Sequence, residues 1–239
     1  MESTQLLWSN GPALTQRDGV FPLCTDAVLL AYFTFGGKIS RRRIAELGCG
    51  CGAVSLLLAL DYPRSEITAI DISPPAAELA EHNINQNGLN GRVSVINADL
   101  RAFTPKEKFD TVVCNPPYFP ENAGKVSETL GFARAESECT LEDVCRAAAR
   151  IAGTGASLCL VYRPERLAAL LEAVKNAGFE PKRLRFVHHS ASHAPSTVLL
   201  EAVSGGKPGG LKVLPPLLIC GENGKNTPEY NRIYRLEEQ

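Results

Sequence analysis

The sequence predicts an α/β fold in which a mostly parallel sheet of seven strands carries helices on both faces. Three observations predict it. Short β-rich apolar runs alternate with segments of helical spacing through the middle of the chain, the pattern of strands joined by crossover helices. A glycine-rich turn, Gly48-Cys49-Gly50-Cys51-Gly52, stands between the first central run and the helical segment after it. The last two runs have no long helix between them, so they pair antiparallel and leave the final strand reversed.

Taken in order, residues 1–24 hold a short hairpin ending in Gly19-Val20-Phe21-Pro22, and Thr25-Asp26 stand where they would cap a helix over 25–35. A strand at 43–47 precedes the glycine turn, and the apolar-periodic run 53–60 is the helix after it. The next strand, 66–71, leads to a helix over 74–87, with Ser73 as N-cap, Pro74 at the first helical position and Gly88 as the stop. Strands at 92–97 and 109–114 follow, then a helix over 141–152, a strand at 156–162 and a helix over 164–177 that ends at Asn176-Ala177-Gly178. Strands at 183–187 and 197–203, joined by the polar stretch 188–195, complete the sheet. Three parts result: a hairpin and helix over 1–36, a core domain over 37–203, and an irregular Gly/Pro-rich extension over 204–239. The segment 115–138 is a long loop, a length that usually carries function.

With 25 basic and 26 acidic residues the formal net charge is −1, which excludes a strongly cationic nucleic-acid coat and an acidic tail protein. No stretch approaches the roughly 18 consecutive apolar residues of a membrane helix, and the amino terminus lacks a basic region followed by an apolar run. A soluble, cytoplasmic protein away from membranes is expected, with no obligate protein partner. The eight cysteines include no C-x-x-C pair and several lie in apolar runs such as TVVCN and ASLCLVY, so they are expected to be buried free thiols. His188, His189 and His193 have no cysteine or carboxylate at recognisable spacing, and no metal site is expected. Basic clusters at Lys38 with Arg41–Arg43, at Lys106 with Lys108, and at Lys182, Arg183 and Arg185 are expected to be solvated faces.

The glycine turn points to a nucleotide-type cofactor. Gly48, Gly50 and Gly52 permit a tight turn and close approach of a ligand to the backbone of Cys49, while the helix that follows offers amide donors. A dinucleotide fingerprint counted from Gly48 has Ala53 at its last position, which that pattern tolerates, so spacing alone leaves a nicotinamide oxidoreductase open. Glu46, two residues before the first glycine, is placed to hold a cationic amine, and Asp71 ends the next strand where an acid accepts both ribose hydroxyls. Together they fit a nucleoside with an amino-acid tail. Asp99, in Asn97-Ala98-Asp99-Leu100, is placed to receive an adenine amine.

Asn115-Pro116-Pro117-Tyr118 follows the strand FDTVVC and therefore lies at the carboxyl end of a central strand, beside the cofactor crevice. Consecutive prolines stiffen this loop. A planar amino nitrogen is a poor nucleophile because its lone pair is delocalised. If the Asn115 side-chain oxygen and the Pro116 carbonyl each accept one N–H, the nitrogen can pyramidalise and direct that pair at an activated methyl. Tyr118 can stack on the planar face of the target, which must be unstacked to reach it.

These residues resemble the class I S-adenosylmethionine-dependent methyltransferases that carry an Asn-Pro-Pro-Tyr motif. The resemblance covers roughly residues 20–203 through ELGCGCG, AIDIS, NADL and NPPY. It implies a Rossmann-like class I methyltransferase fold with a reversed last strand. Within the class, the sequence is most like the bacterial family that methylates adenine N6 beside the anticodon of a valine tRNA, on Thr25-Asp26-Ala27-Val28-Leu29-Leu30, the run Asn-Pro-Pro-Tyr-Phe, and Gly206-Lys207-Pro208 with Leu214-Pro215-Pro216. Release-factor glutamine N5-methyltransferases and ribosomal RNA guanine-N2 methyltransferases are the alternatives, and a nucleic-acid-binding module without turnover is a further one. The resemblance implies S-adenosylmethionine as cofactor, held by Glu46, Gly48, Cys49, Gly50, Gly52, Asp71, Ile72, Asp99, Leu100 and Asn115. It implies catalysis by Asn115, Pro116 and Tyr118 on RNA, with Pro117, Phe119, Lys125 and Arg134 as substrate-binding residues.

Overall fold

The computed structural model describes residues 1–36, 42–116 and 139–236. The chain opens with an antiparallel hairpin of β1 (Glu2–Leu6) and β2 (Ala13–Arg17), followed by α1 (Thr25–Phe35). Alternation then sets in: β3 (Arg43–Leu47), α2 (Ala53–Asp61), β4 (Glu66–Asp71), α3 (Pro74–Gln86), β5 (Val93–Asn97) and β6 (Phe109–Cys114). Next come α4 (Leu141–Ile151), β7 (Ala152–Tyr162), a 3-10 turn (Pro164–Arg166), α5 (Leu167–Asn176), β8 (Phe179–His188) and β9 (Pro195–Ser204). Two short strands, β10 (Lys212–Val213) and β11 (Leu217–Leu218), and α6 (Pro228–Ile233) close the described chain.

Strand order in the main sheet is β10-β8-β9-β7-β6-β3-β4-β5, with β11 also on β8. The pairs among β3 to β7 are parallel, whereas β9 runs antiparallel to both β7 and β8. Strand residues alternate between the two faces, as a two-residue period requires. Ile44, Val113 and Cys159 belong to the apolar layer under α1, α2 and α3, while their neighbours Ala45, Val112 and Leu158 belong to the layer under α4 and α5. Burial of each large aliphatic side chain in these layers stabilises by about 1.5–3 kcal/mol. The α4 helix shows the same logic at period 3.6: Leu141, Val144, Cys145, Ala148 and Ile151 are buried, and Thr140 and Asp143 form a reciprocal capping box.

Several expectations need correction. The helix over 25–35 is capped at Cys24 without a side-chain bond; the Asp26 carboxylate instead accepts from the Thr197 hydroxyl at 3.0 Å. Ser73 occupies the N-cap of α3 but makes no side-chain cap bond. The segment after residue 203 is not wholly irregular, because β10 and β11 extend the sheet edge in parallel with β8. The cluster at 182–185 is structural rather than a solvated face. Arg183 pairs with Glu201 at 2.9 Å and lies over the Phe33 ring, and Arg185 forms a two-pronged pair with Glu229 at 2.7 and 2.8 Å. Lys38 and Arg41 lie outside the described residues. All eight cysteines are free; Cys49, Cys51, Cys114, Cys145 and Cys159 are buried and Cys24, Cys139 and Cys220 are half-buried. No described helix is long and apolar enough to cross a membrane.

Candidate active site

One cavity of about 490 Å³ opens at the carboxyl ends of β3, β4 and β6, within the usual range for small-molecule sites. Parallel register decides which residues share it. Leu47 of β3 stands level with Ile70 of β4 and Cys114 of β6. The residues that follow, Gly48, Asp71 and Asn115, therefore emerge side by side and all line the cavity. Glu46, Cys49, Gly50, Ile72, Asp99, Leu100 and Pro116 line it too. Gly52 does not, and Pro117, Tyr118, Phe119, Lys125 and Arg134 lie outside the described residues.

The turn is held from beneath. Gly48 and Cys49 both donate backbone N–H to the Ile70 carbonyl, at 2.8 and 3.0 Å, and Gly50 N–H donates to Asp71 Oδ2 at 2.8 Å. Two glycines show why this residue type is needed. Gly48 has φ +72° with open space where a Cβ would stand, so the backbone there is bare toward a ligand. Gly52 has φ +78°, and a Cβ would meet Ala80 Cβ at 3.0 Å; its role is close packing of α2 on α3, not ligand contact. Asn83 of α3 adds a support that sequence reasoning missed. Its buried amide donates to the Cys51 carbonyl at 2.8 Å and to the Thr15 carbonyl at 2.9 Å, and accepts from Thr15 N–H at 2.8 Å, tying the hairpin to the turn.

Glu46 is 3% exposed. Its Oε2 accepts from Ser55 N–H at 2.8 Å and Ser55 Oγ at 2.5 Å, so it satisfies an otherwise open donor in the first turn of α2. Burial pushes its pKa from 4.5 up to about 8, opposed by the Ser55 bonds and assisted by the Asp71 charge. Burial likewise raises Asp71, although Ser73 N–H (2.9 Å, to Oδ1) and Gly50 N–H favour its carboxylate. Two desolvated acids facing one cavity are an arrangement that a cation and hydroxyl groups would relieve. Both Asp99 oxygens engage the Arg101 guanidinium at 2.8–3.0 Å, which holds its pKa low.

Asn115 Nδ2 lies 3.6 Å from Cys24 Sγ, so the amide nitrogen faces the amino-terminal segment. The segment 19–24 forms a wall of the cavity, as do Cys139 and Arg163. None of these was expected from the sequence. Burial pushes the Cys49 and Cys114 thiols well above their ordinary value and Cys51 to about 11, which makes them inert packing groups. Among the described residues no group of three or more His, Cys, Asp or Glu converges as metal ligands.

Residues 25–143 match the model of the methyltransferase small domain family. Over 183 residues the chain is 33% identical to a tRNA1(Val) (adenine(37)-N6)-methyltransferase of a Flavobacteriaceae bacterium, covering 71% of this chain and 77% of that protein. The chain belongs to this family of class I methyltransferases. An enzyme of the same name from Vibrio cholerae is 36% identical over 121 residues, where the match spans 51% of this chain and about half (49%) of that relative. Among solved structures, a predicted O-methyltransferase from Agrobacterium tumefaciens superposes with a TM-score of 0.71 at 25% identity, covering 88% of this chain and 96% of that one. A 16S rRNA N2 G1207 methyltransferase from T. thermophilus, in complex with AdoMet and guanosine, has a TM-score of 0.59 at 20% identity, with 85% of this chain and 51% of that chain covered; this likeness concerns the fold. The methyltransferase therefore shares its overall fold with these solved structures. Its family membership removes the nicotinamide oxidoreductase reading that the turn alone left open.

Proposed function

We propose that this methyltransferase transfers a methyl group from S-adenosylmethionine to the exocyclic N6 of an adenine in tRNA. The observation that carries the reading is the adjacency of Asn115 to Gly48 at the carboxyl ends of neighbouring parallel strands, in one cavity with the acids Glu46 and Asp71. The names of the relatives support the base and the RNA.

The residues present fit the cofactor. The cavity has the needed size, Gly48 leaves backbone open to it, and the buried Glu46 and half-buried Asp71 await a cation and hydroxyls. Glu46 holds the amine of the amino-acid tail, Asp71 the ribose hydroxyls, and Ile72 and Leu100 are apolar walls for the adenine, with Asp99 beside it. When bound, S-adenosylmethionine supplies an electrophilic methyl on a sulfonium centre. Asn115 Oδ1 and the Pro116 carbonyl accept the two N–H groups of the target amine. Those bonds favour a pyramidal nitrogen whose lone pair points toward the glycine turn. No strong base is required, because the proton becomes acidic only once the nitrogen has been alkylated, and Asn115 Oδ1 holds it until solvent takes it. Pro117, Tyr118 and Phe119 are assigned to the target base, and Lys125 and Arg134 to RNA, on sequence resemblance.

Labelled methyl transfer into unmodified total tRNA, followed by nucleoside mass spectrometry, tests the reading. The expected product is N6-methyladenosine, lost in Asn115→Ala. Methylated guanosine, or transfer only into a glutamine-containing peptide, would replace the target.

A further inference from the structure

We propose that Arg163 binds a phosphate of the RNA strand that carries the target base; this rests on the RNA reading above and adds the residue that orients the substrate backbone. Sheet order sets a row along one end of the molecule. The strand ends of β5, β4, β3, β6 and β7 bring Asp99, Asp71, Gly48, Asn115 and Arg163 to the cavity wall in that order. The β5 to β3 stretch is the acidic, cofactor side. Among the described residues two arginines line the wall: Arg101 lies on that side, in contact with Asp99, and Arg163 lies at the opposite end, beyond Asn115.

Placement matches a nucleotide. Cys114 of β6 is level with Leu160 of β7, so continuing the ladder sets Asn115 beside Val161, with Arg163 two residues farther on. At about 3.3 Å per residue and about 4.8 Å between strands, the two Cα atoms are roughly 8 Å apart. That is the scale on which a base edge stands from its own phosphate. A base with its amine at Asn115 and its reacting nitrogen toward Gly48 must leave the cavity on the side away from the cofactor, which is the β7 side. The Arg163 backbone is extended, at φ −83° and ψ 132°, and precedes Pro164, a neighbour that restricts it to that region. The side chain therefore departs from a fixed base. Its forked donors match phosphate oxygens two at a time.

Steady-state methyl transfer to tRNA across a series of salt concentrations tests the assignment, using wild type, Arg163→Gln and Arg163→Lys. Loss of one phosphate contact is expected to lower kcat/KM about tenfold at low salt, through KM, and to reduce the slope of its logarithm against log salt by about 0.7–0.9. Arg163→Lys keeps the charge and is expected to keep the slope. S-Adenosylmethionine affinity is expected to be unchanged in both variants; that titration also checks folding, with Arg163→Met standing in if the glutamine variant fails it. A wild-type slope and KM in Arg163→Gln, or a loss confined to kcat or to cofactor affinity, would overturn the assignment alone. Failure of the wild type to methylate tRNA would overturn the substrate reading and this assignment with it.

Discussion

The two halves of the cavity are built differently. On the cofactor side, the carboxylates of Glu46 and Asp71 accept main-chain N–H groups of Ser55, Gly50 and Ser73, and the turn itself hangs from the Ile70 carbonyl. Two carboxylates and one main-chain carbonyl together fix the backbone there. On the target side, the described groups stand singly at strand ends: Asn115, whose amide nitrogen rests against the Cys24 thiol at 3.6 Å, the Pro116 carbonyl and the exposed Arg163. The difference teaches that the cofactor half is tied into the main-chain network of the fold, whereas the target half presents individual groups at strand ends.

Substitutions sharpen or break this contrast. The largest effect is expected at Asn115: Asn115→Ala should lower kcat by about 10²–10³-fold while cofactor affinity falls far less. Parallel loss of cofactor affinity would erase the distinction between the halves. Glu46→Gln should act the opposite way, weakening S-adenosylmethionine about tenfold or more. It should also change the pH response of the cofactor-free protein. Because folding raises the Glu46 pKa from 4.5 to about 8, the native state is favoured by its proton below about pH 4.5, and that stability is lost as pH rises through about 8. Thermal denaturation of wild type should show this decline over that window, and Glu46→Gln should flatten it.

Gly52→Ala should cost about 1–3 kcal/mol of stability, read by denaturant melts, because φ +78° and the Ala80 contact at 3.0 Å both oppose a Cβ. Gly48→Ala meets no protein atom, so it should destabilise less and cost cofactor affinity instead. Equal stability losses at both glycines would contradict their different surroundings. The smallest effect is expected at Thr140, whose hydroxyl caps α4 beside the target half. Thr140→Ala should lose about 1 kcal/mol in the same melts with methyl transfer retained.

Much of the architecture was legible because it is periodic. The strands 43–47, 66–71 and 109–114 and the start of α2 after the glycine turn lie where alternation and glycine spacing set them. What was illegible depends on partners distant in sequence. Arg183 and Arg185 looked like a solvated pair because Glu201 and Glu229, which hold them, lie 18 and 44 residues on. Two-residue strands such as β10 carry no period, and they form because the β8 edge offers unpaired main-chain groups. The predicted helix over 164–177 divides into a 3-10 turn and α5 at a boundary that hydrophobic spacing does not mark. At the site, Glu46, Gly48, Asp71 and Asn115 were legible through motif order, but the wall from 19–24 was not. Chain crossings over a cavity leave no mark on local composition.

The row of strand ends has a consequence for how such a molecule can diverge. Distances between neighbouring positions in it are set by the hydrogen-bond ladder, which a sheet cannot stretch without breaking. Reaction geometry is thus inherited with the ruler on which it is marked, and insertions or replacements in the surrounding loops can exchange one nucleic-acid clientele for another without recalibrating the chemistry.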